Sequence, residues 1–307
     1  MTVRRPMPLV ALLVVLTACT AEPAPAPPPA PTTTTTTTST APPADQVYLS
    51  LGDSYATGYR PATGGTPAGA ARDGFADLVA ARSGLRLINV ACSGATSGQL
   101  RTSTGCPPPN RAAGAPDPAG RTQLDAAVAA LREHEGRVGL VTVVIGGNDL
   151  APCVRDTASA ALACASEAVR DVAANLAAIL PVLREAAGDA PIVGLTYPDV
   201  FLGAWVSPDF PNGQDLARMS VPLFRDFFNT ALKAEYAKVG AEFVDVTATT
   251  GGYGPLTELV QDPDHGPVPA PVARVCALTY FCELTDVHPT PEGHEVIADA
   301  VLAATGR

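Results

Sequence analysis

The sequence predicts an α/β domain built on a mostly parallel sheet, and three observations carry that prediction. From Gln46 onward, short apolar runs alternate with longer amphipathic ones, which is the rhythm of βα units. The short runs are dense in Val, Ile and Leu, as expected of strands buried on both faces by crossover helices. Turns of small residues follow the first three runs, so each chain reversal falls at the same edge of the sheet.

Taken in order, the strands are expected at 47–51, 85–90, 138–145, 191–196 and 242–246, a natural size for one sheet. Helical periodicity is clearest over 122–133, 159–185, 223–239 and 291–303, the last opening on Pro291, whose missing N–H suits a first helical turn. Two long segments, 197–221 and 251–281, break the pattern with Pro, Gly and scattered aromatics such as Trp205, Phe210 and Tyr253, and read as irregular loops. Loops of that length often shape a binding site.

Upstream of the domain, the chain reads as exported. Arg4 and Arg5 precede a short apolar stretch over 9–16 that is too brief to span a bilayer. It ends in Leu16-Thr17-Ala18-Cys19, which resembles the lipobox of bacterial lipoproteins; that resemblance implies lipidation of Cys19 and a signal segment over 1–19. Residues 20–45 are dominated by Ala, Pro and Thr. They have too little apolar surface to offset the entropy of folding and are expected to form a disordered tether, reaching on the order of 80 Å if extended. The folded domain is then 46–307, extracytoplasmic, anchored to a membrane or released.

Seven cysteines agree with export, because removing Cys19 leaves an even set suited to an oxidising compartment. They fall as near neighbours: Cys92 and Cys106, Cys153 and Cys164, Cys276 and Cys282. Many pairings are formally open, and closure of three short local loops is the economical one. No Cys-x-x-Cys and no His pair at ligand spacing point to a metal, and no cofactor motif is present. A formal charge of −10 argues against nucleic acid, which requires clustered Lys and Arg. The chain is expected to be a monomer.

Chemistry-bearing residues gather at the expected strand ends. Gly52-Asp53-Ser54 follows the first strand, Cys92-Ser93-Gly94-Ala95-Thr96 the second and Gly146-Gly147-Asn148-Asp149 the third. Ligands of open α/β sheets bind at the carboxyl ends of strands. A serine hydroxyl needs a base titrating near neutrality. Of four histidines, His134 lies in a charged helix end, His265 in a Pro- and Gly-containing loop and His294 inside the last helix. His288, in Thr285-Asp286-Val287-His288-Pro289 just before that helix, sits on a loop free to swing over the sheet edge.

With Ser54, Gly94, Asn148 and His288 in that order, the region from about Gln46 to Ala304 resembles the SGNH (GDSL-like) hydrolase superfamily. The resemblance implies a flavodoxin-like three-layer α/β/α fold and metal-independent hydrolysis of lipid or acylated-carbohydrate esters. The implied roles are Ser54 as nucleophile, His288 as base, and an oxyanion hole from Ser54, Gly94 and Asn148. The six-cysteine layout looks most like secreted actinobacterial members. The Gly-x-Ser-x-Gly elbow of the α/β-hydrolases is absent. One position departs from the pattern: the family commonly places its acid three residues before the His, where this chain has Thr285, so the orienting role falls to Asp286, two before it, or to a backbone carbonyl. The alternatives are a non-catalytic surface lipoprotein that uses the fold to bind, and an acyltransferase working through the same acyl-enzyme.

Overall fold

The computed structural model describes residues 45–155 and 158–307. The expected signal segment with Cys19, and the tether apart from Asp45, lie outside the described residues. The five expected strands all form: β1 (Val47–Gly52), β2 (Arg86–Asn89), β3 (Val138–Val144), β4 (Ile192–Leu195) and β5 (Glu242–Val244). They make one parallel sheet in the order β2-β1-β3-β4-β5. Leu49 pairs in register with Ile88 on one side and Val141 on the other. Every residue of β1 is buried. The polar side chains within this centre satisfy each other, Tyr48 Oη lying 2.7 Å from Thr142 Oγ1, which in turn donates to Ser50 Oγ, as buried hydroxyls must.

Seven helices of eight residues or more flank the sheet among the described residues: α1 (Phe75–Ser83), α2 (Gln123–Glu133), α3 (Ala158–Ala187), α4 (Gly213–Pro222), α5 (Asn229–Ala237), α6 (Ala270–Leu278) and α7 (Pro291–Thr305). α1 packs on α7, while α3 packs on both α2 and α5. The grouping follows from handedness. Crossovers between parallel strands are right-handed, so the step from β1 out to β2 puts α1 on one face, and the reversed steps through β3, β4 and β5 put α2, α3 and α5 on the other. The result is the three-layer α/β/α arrangement. The reversal also leaves a crevice between the carboxyl ends of β1 and β3.

The long segments are more ordered than their composition suggests. Residues 197–221 hold a 3-10 turn, Val200–Trp205, and all but the last residue of α4, which pack together; a Cβ on Gly213 would collide with the carbonyl oxygen of Ala204, so this close approach requires glycine. The helix expected from 223 is entered without a break, α4 continuing through Pro222 into a wider π turn, Leu223–Phe228, and then α5. Residues 251–281 hold the hairpin Leu259–Asp262 with Gly266–Pro269, followed by α6. α1 also escapes the sequence reading, because nine residues with a broken apolar stripe give little periodicity to detect. The cysteines close locally, as Cys92–Cys106, Cys153–Cys164 and Cys276–Cys282.

Candidate active site

Gly52 ends β1 at φ +138°, and a Cβ there would strike the Val144 carbonyl. The Gln123 side chain clamps it, accepting from Gly52 N at 2.6 Å and donating to Gly52 O at 3.0 Å. This turn launches the single helical turn Ser54–Thr57, capped by Asp53, whose Oδ1 accepts from Tyr55 N. Asp53 Oδ2 accepts from the Tyr197 hydroxyl at 2.5 Å. Burial raises the Asp53 carboxyl to about 6, against the pull of those hydrogen bonds and of His288. Burial and the neighbouring Asp53 hold the Tyr197 phenol well above its ordinary value, so it remains a donor.

Three turns meet at the crevice. Thr57 Oγ1 lies 2.8 Å from Ser93 Oγ, linking the turns after β1 and β2. Asn148 Nδ2 donates to Ala95 O at 3.0 Å, and Asp149 accepts from Ser97 N and Ser97 Oγ at 2.9 and 2.7 Å, linking the turns after β2 and β3. Burial raises the Asp149 carboxyl above its usual range despite the Ser97 hydrogen bonds. Gly94, at φ +82°, stands between the two links.

Ser54, 8% exposed, and Asn148 line one cavity of about 530 Å³. Its walls include Tyr197, Phe201, Phe210, Phe224 and Phe281, and it reaches Thr285 and Val287, which bracket Asp286 and precede His288. Gly94 opens instead onto an adjoining hollow of about 310 Å³. Of the three aromatics singled out in the long loops, Phe210 lines the cavity. Trp205 lies under Arg218, and Tyr253 bonds to Asp245 and Asn229.

The His288 segment is pinned rather than free to swing. Tyr280 N donates to His288 O, Thr290 N to Leu278 O, and Tyr55 Oη to Val287 O at 2.5 Å. The His288 ring rests 4.4 Å from the Tyr59 ring, centroid to centroid. Asp286 Oδ1 accepts from His288 N at 2.9 Å and lies 2.7 Å from His288 Nδ1. Burial alone would raise the Asp286 carboxyl, but the hydrogen bonds and charge of His288 outweigh it and hold it below the usual range. A carboxylate only accepts, so Nδ1 carries the proton and Nε2 presents its lone pair. Glu283, five residues before His288, is exposed.

The other histidines serve structure. His134 caps α2 and meets Arg86, His265 pairs with Asp262, and buried His294 accepts from Phe75 N through Nδ1. The tyrosines 55, 59 and 197 carry much of the site's geometry and were not legible in advance. Tyr55 alone had a signal, its adjacency to Ser54.

The family model described as the GDSL-like lipase/acylhydrolase family matches residues 50–296. Among solved structures, the extracellular lipase from Streptomyces rimosus is similar over 84% of this chain and 99% of that one, with a TM-score of 0.54 and 21% identity. Phospholipase A1 from Streptomyces albidoflavus NA297 is similar over 85% and 100%, with a TM-score of 0.51 and 18% identity. Both are likenesses of fold. No curated protein matches. With the family match spanning nearly the whole folded domain, the chain belongs to the GDSL-like lipase/acylhydrolase family and is an ester-hydrolysing enzyme.

Proposed function

We propose that this chain is a serine esterase in which Ser54 is the nucleophile, His288 the base and Asp286 the residue that orients it. The observation that carries the proposal is the 2.7 Å pairing of Asp286 with His288 Nδ1, which leaves Nε2 as acceptor on the residue next to Val287, a lining residue of the cavity that Ser54 lines. His288 Nε2 takes the proton from Ser54 Oγ as Oγ bonds to the ester carbonyl carbon and the carbonyl oxygen becomes an oxyanion. Collapse breaks the bond to the alcohol, which leaves with the proton returned by His288. Water then attacks the acyl-enzyme, giving its proton to the same imidazole, which returns it to Ser54 Oγ as the acyl–Oγ bond breaks and the acid departs.

The oxyanion donors are Ser54 N–H, Gly94 N–H and the second amide hydrogen of Asn148, the first hydrogen being engaged by Ala95. Asp53, buried and held by Tyr197, fixes the turn rather than the proton transfer. The substrate is a lipid or acylated-carbohydrate ester whose apolar part enters the aromatic cavity. The three disulfides support an oxidising, extracytoplasmic setting, in keeping with the export signal. Anchoring at Cys19 is checked by fatty-acid labelling that disappears in Cys19→Ala.

The test is hydrolysis of p-nitrophenyl esters from acetate to palmitate by the chain and by its Ser54→Ala variant. The wild type turns them over with a chain-length optimum, and the variant loses at least about 10³-fold in kcat at unchanged Tm. Retained turnover in Ser54→Ala overturns the assignment.

A further inference from the structure

Among the described residues, the lining of the cavity beside Ser54 has a one-sided charge. Four phenylalanine rings form a connected wall, Phe210 stacked on Phe281 at 5.6 Å and Phe201 edge-on to Phe224 and Phe281 at 6.1 and 6.4 Å. Tyr55 and Tyr197 complete it edge to face at 4.9 Å, and the hydroxyls of both are engaged by Val287 O and Asp53, so the tyrosines offer rings rather than donors. Among the described residues, the only ionisable side chains besides the tyrosines that line the cavity are carboxyls, Asp53 and Asp209, with no Lys, Arg or His. Asp53 is buried and committed to the β1 turn. Asp209 is exposed on the wall next to Phe210, accepting from Thr285 Oγ1 through Oδ2 at 2.7 Å.

Aromatic faces and a carboxylate together are the recognition chemistry of ammonium groups. The same surfaces give an anionic ester no partner and oppose its charge. Resting on the esterase reading above, we propose that Asp209 sets charge selectivity at this cavity, so that the enzyme favours esters bearing a compact quaternary-ammonium group over matched esters bearing a carboxylate or phosphate. Because Asp209 is exposed, its field is screened by salt, and the preference weakens as ionic strength rises. The role is one of specificity; Asp209 takes no part in proton transfer.

The test is calorimetric binding of butyrylcholine and of monobutyl succinate to the full-length Ser54→Ala chain, alone and with Asp209→Asn or Asp209→Lys added. The Ser54→Ala chain binds the cation about ten-fold more tightly than the anion, Asp209→Asn removes most of that ratio, and Asp209→Lys reverses it. In the chain with Ser54 intact, the kcat/KM ratio of butyrylthiocholine to p-nitrophenyl hemisuccinate moves in the same order. Reading a ratio cancels any general loss from disturbing the Thr285 loop. Equal affinities, a preference that survives Asp209→Lys, or no binding of the cation each overturn the proposal. Binding is measured without turnover, so a chain that prefers the cation but hydrolyses no ester would sink the esterase reading and leave this one standing.

Discussion

Two of the similarly sized cavities among the described residues share no lining residue. The one beside Ser54, about 530 Å³, sits where the strand order reverses and is walled by aromatic rings with two carboxyls. The other, about 510 Å³, runs along edge strand β2 and collects Arg72, Arg86, Arg111 and Arg121 together with His134. Two of those arginines are already engaged: Arg111 with Asp117 and with the Cys106 carbonyl, Arg86 with His134. Volume does not separate a reactive site from a structural groove. The difference lies in what the polar groups are doing. Along β2 they close a loop onto the sheet, whereas Ser54 and Asn148 line a cavity that reaches Val287, the neighbour of the Asp286-paired His288.

The largest effect expected from testing that contrast is at Asp286. Asp286→Asn removes the charge that fixes the His288 tautomer, and kcat on a p-nitrophenyl ester falls by about 10²–10⁴-fold with little change in Tm. A fall under three-fold would transfer the orienting role to a backbone carbonyl.

A smaller effect tests the scaffold behind the site. His294, buried under α1, is held neutral by burial first and then by the charges of Arg60 and His288, which depress its pKa to about 3 from 6.5. Between those values the unfolded chain binds the proton and the folded chain does not, so stability is complete above 6.5 and is lost as pH falls below it. The loss is about 1.4 kcal/mol per pH unit. His294→Asn keeps an acceptor for Phe75 N and lacks this titration, so its Tm falls less steeply than the wild type's between pH 6.5 and 4.5. Asp53 and Asp199, raised by burial to about 6 and about 7, act in the opposite sense, contributing stability at low pH that fades as pH rises. Comparing variant with wild type cancels them. Parallel Tm profiles would refute the account of His294.

The smallest effect belongs to the other cavity. Arg72→Ala with Arg121→Ala leaves ester turnover within two-fold, because neither side chain reaches the Ser54 crevice. A loss beyond ten-fold would merge the two regions into one site and erase the comparison.

Much of this was legible in order along the chain. Each expected strand forms within two residues of its predicted ends, because runs of Val, Ile and Leu buried on both faces have no other comfortable state. β5 stops earliest, at Val244, where Asp245 turns the chain by accepting from Ala248 N. That Ser54 and Asn148 would share one sheet edge was legible because each follows a recognisable strand, and the structure places both on one cavity. The helices inside 197–221 and 251–281 were not, since their Pro and Gly content masks a periodicity that packing against neighbours sustains.

The sequence by itself determined the sheet and the family pattern, because these depend on local composition and chain order. Tertiary structure decided the rest. It pinned the His288 loop with Tyr55 from the far end of the chain and gathered four phenylalanines from three separate segments into one wall. Those contacts join residues remote in sequence, and no local pattern encodes a contact whose partner is supplied only when the layers close on one another.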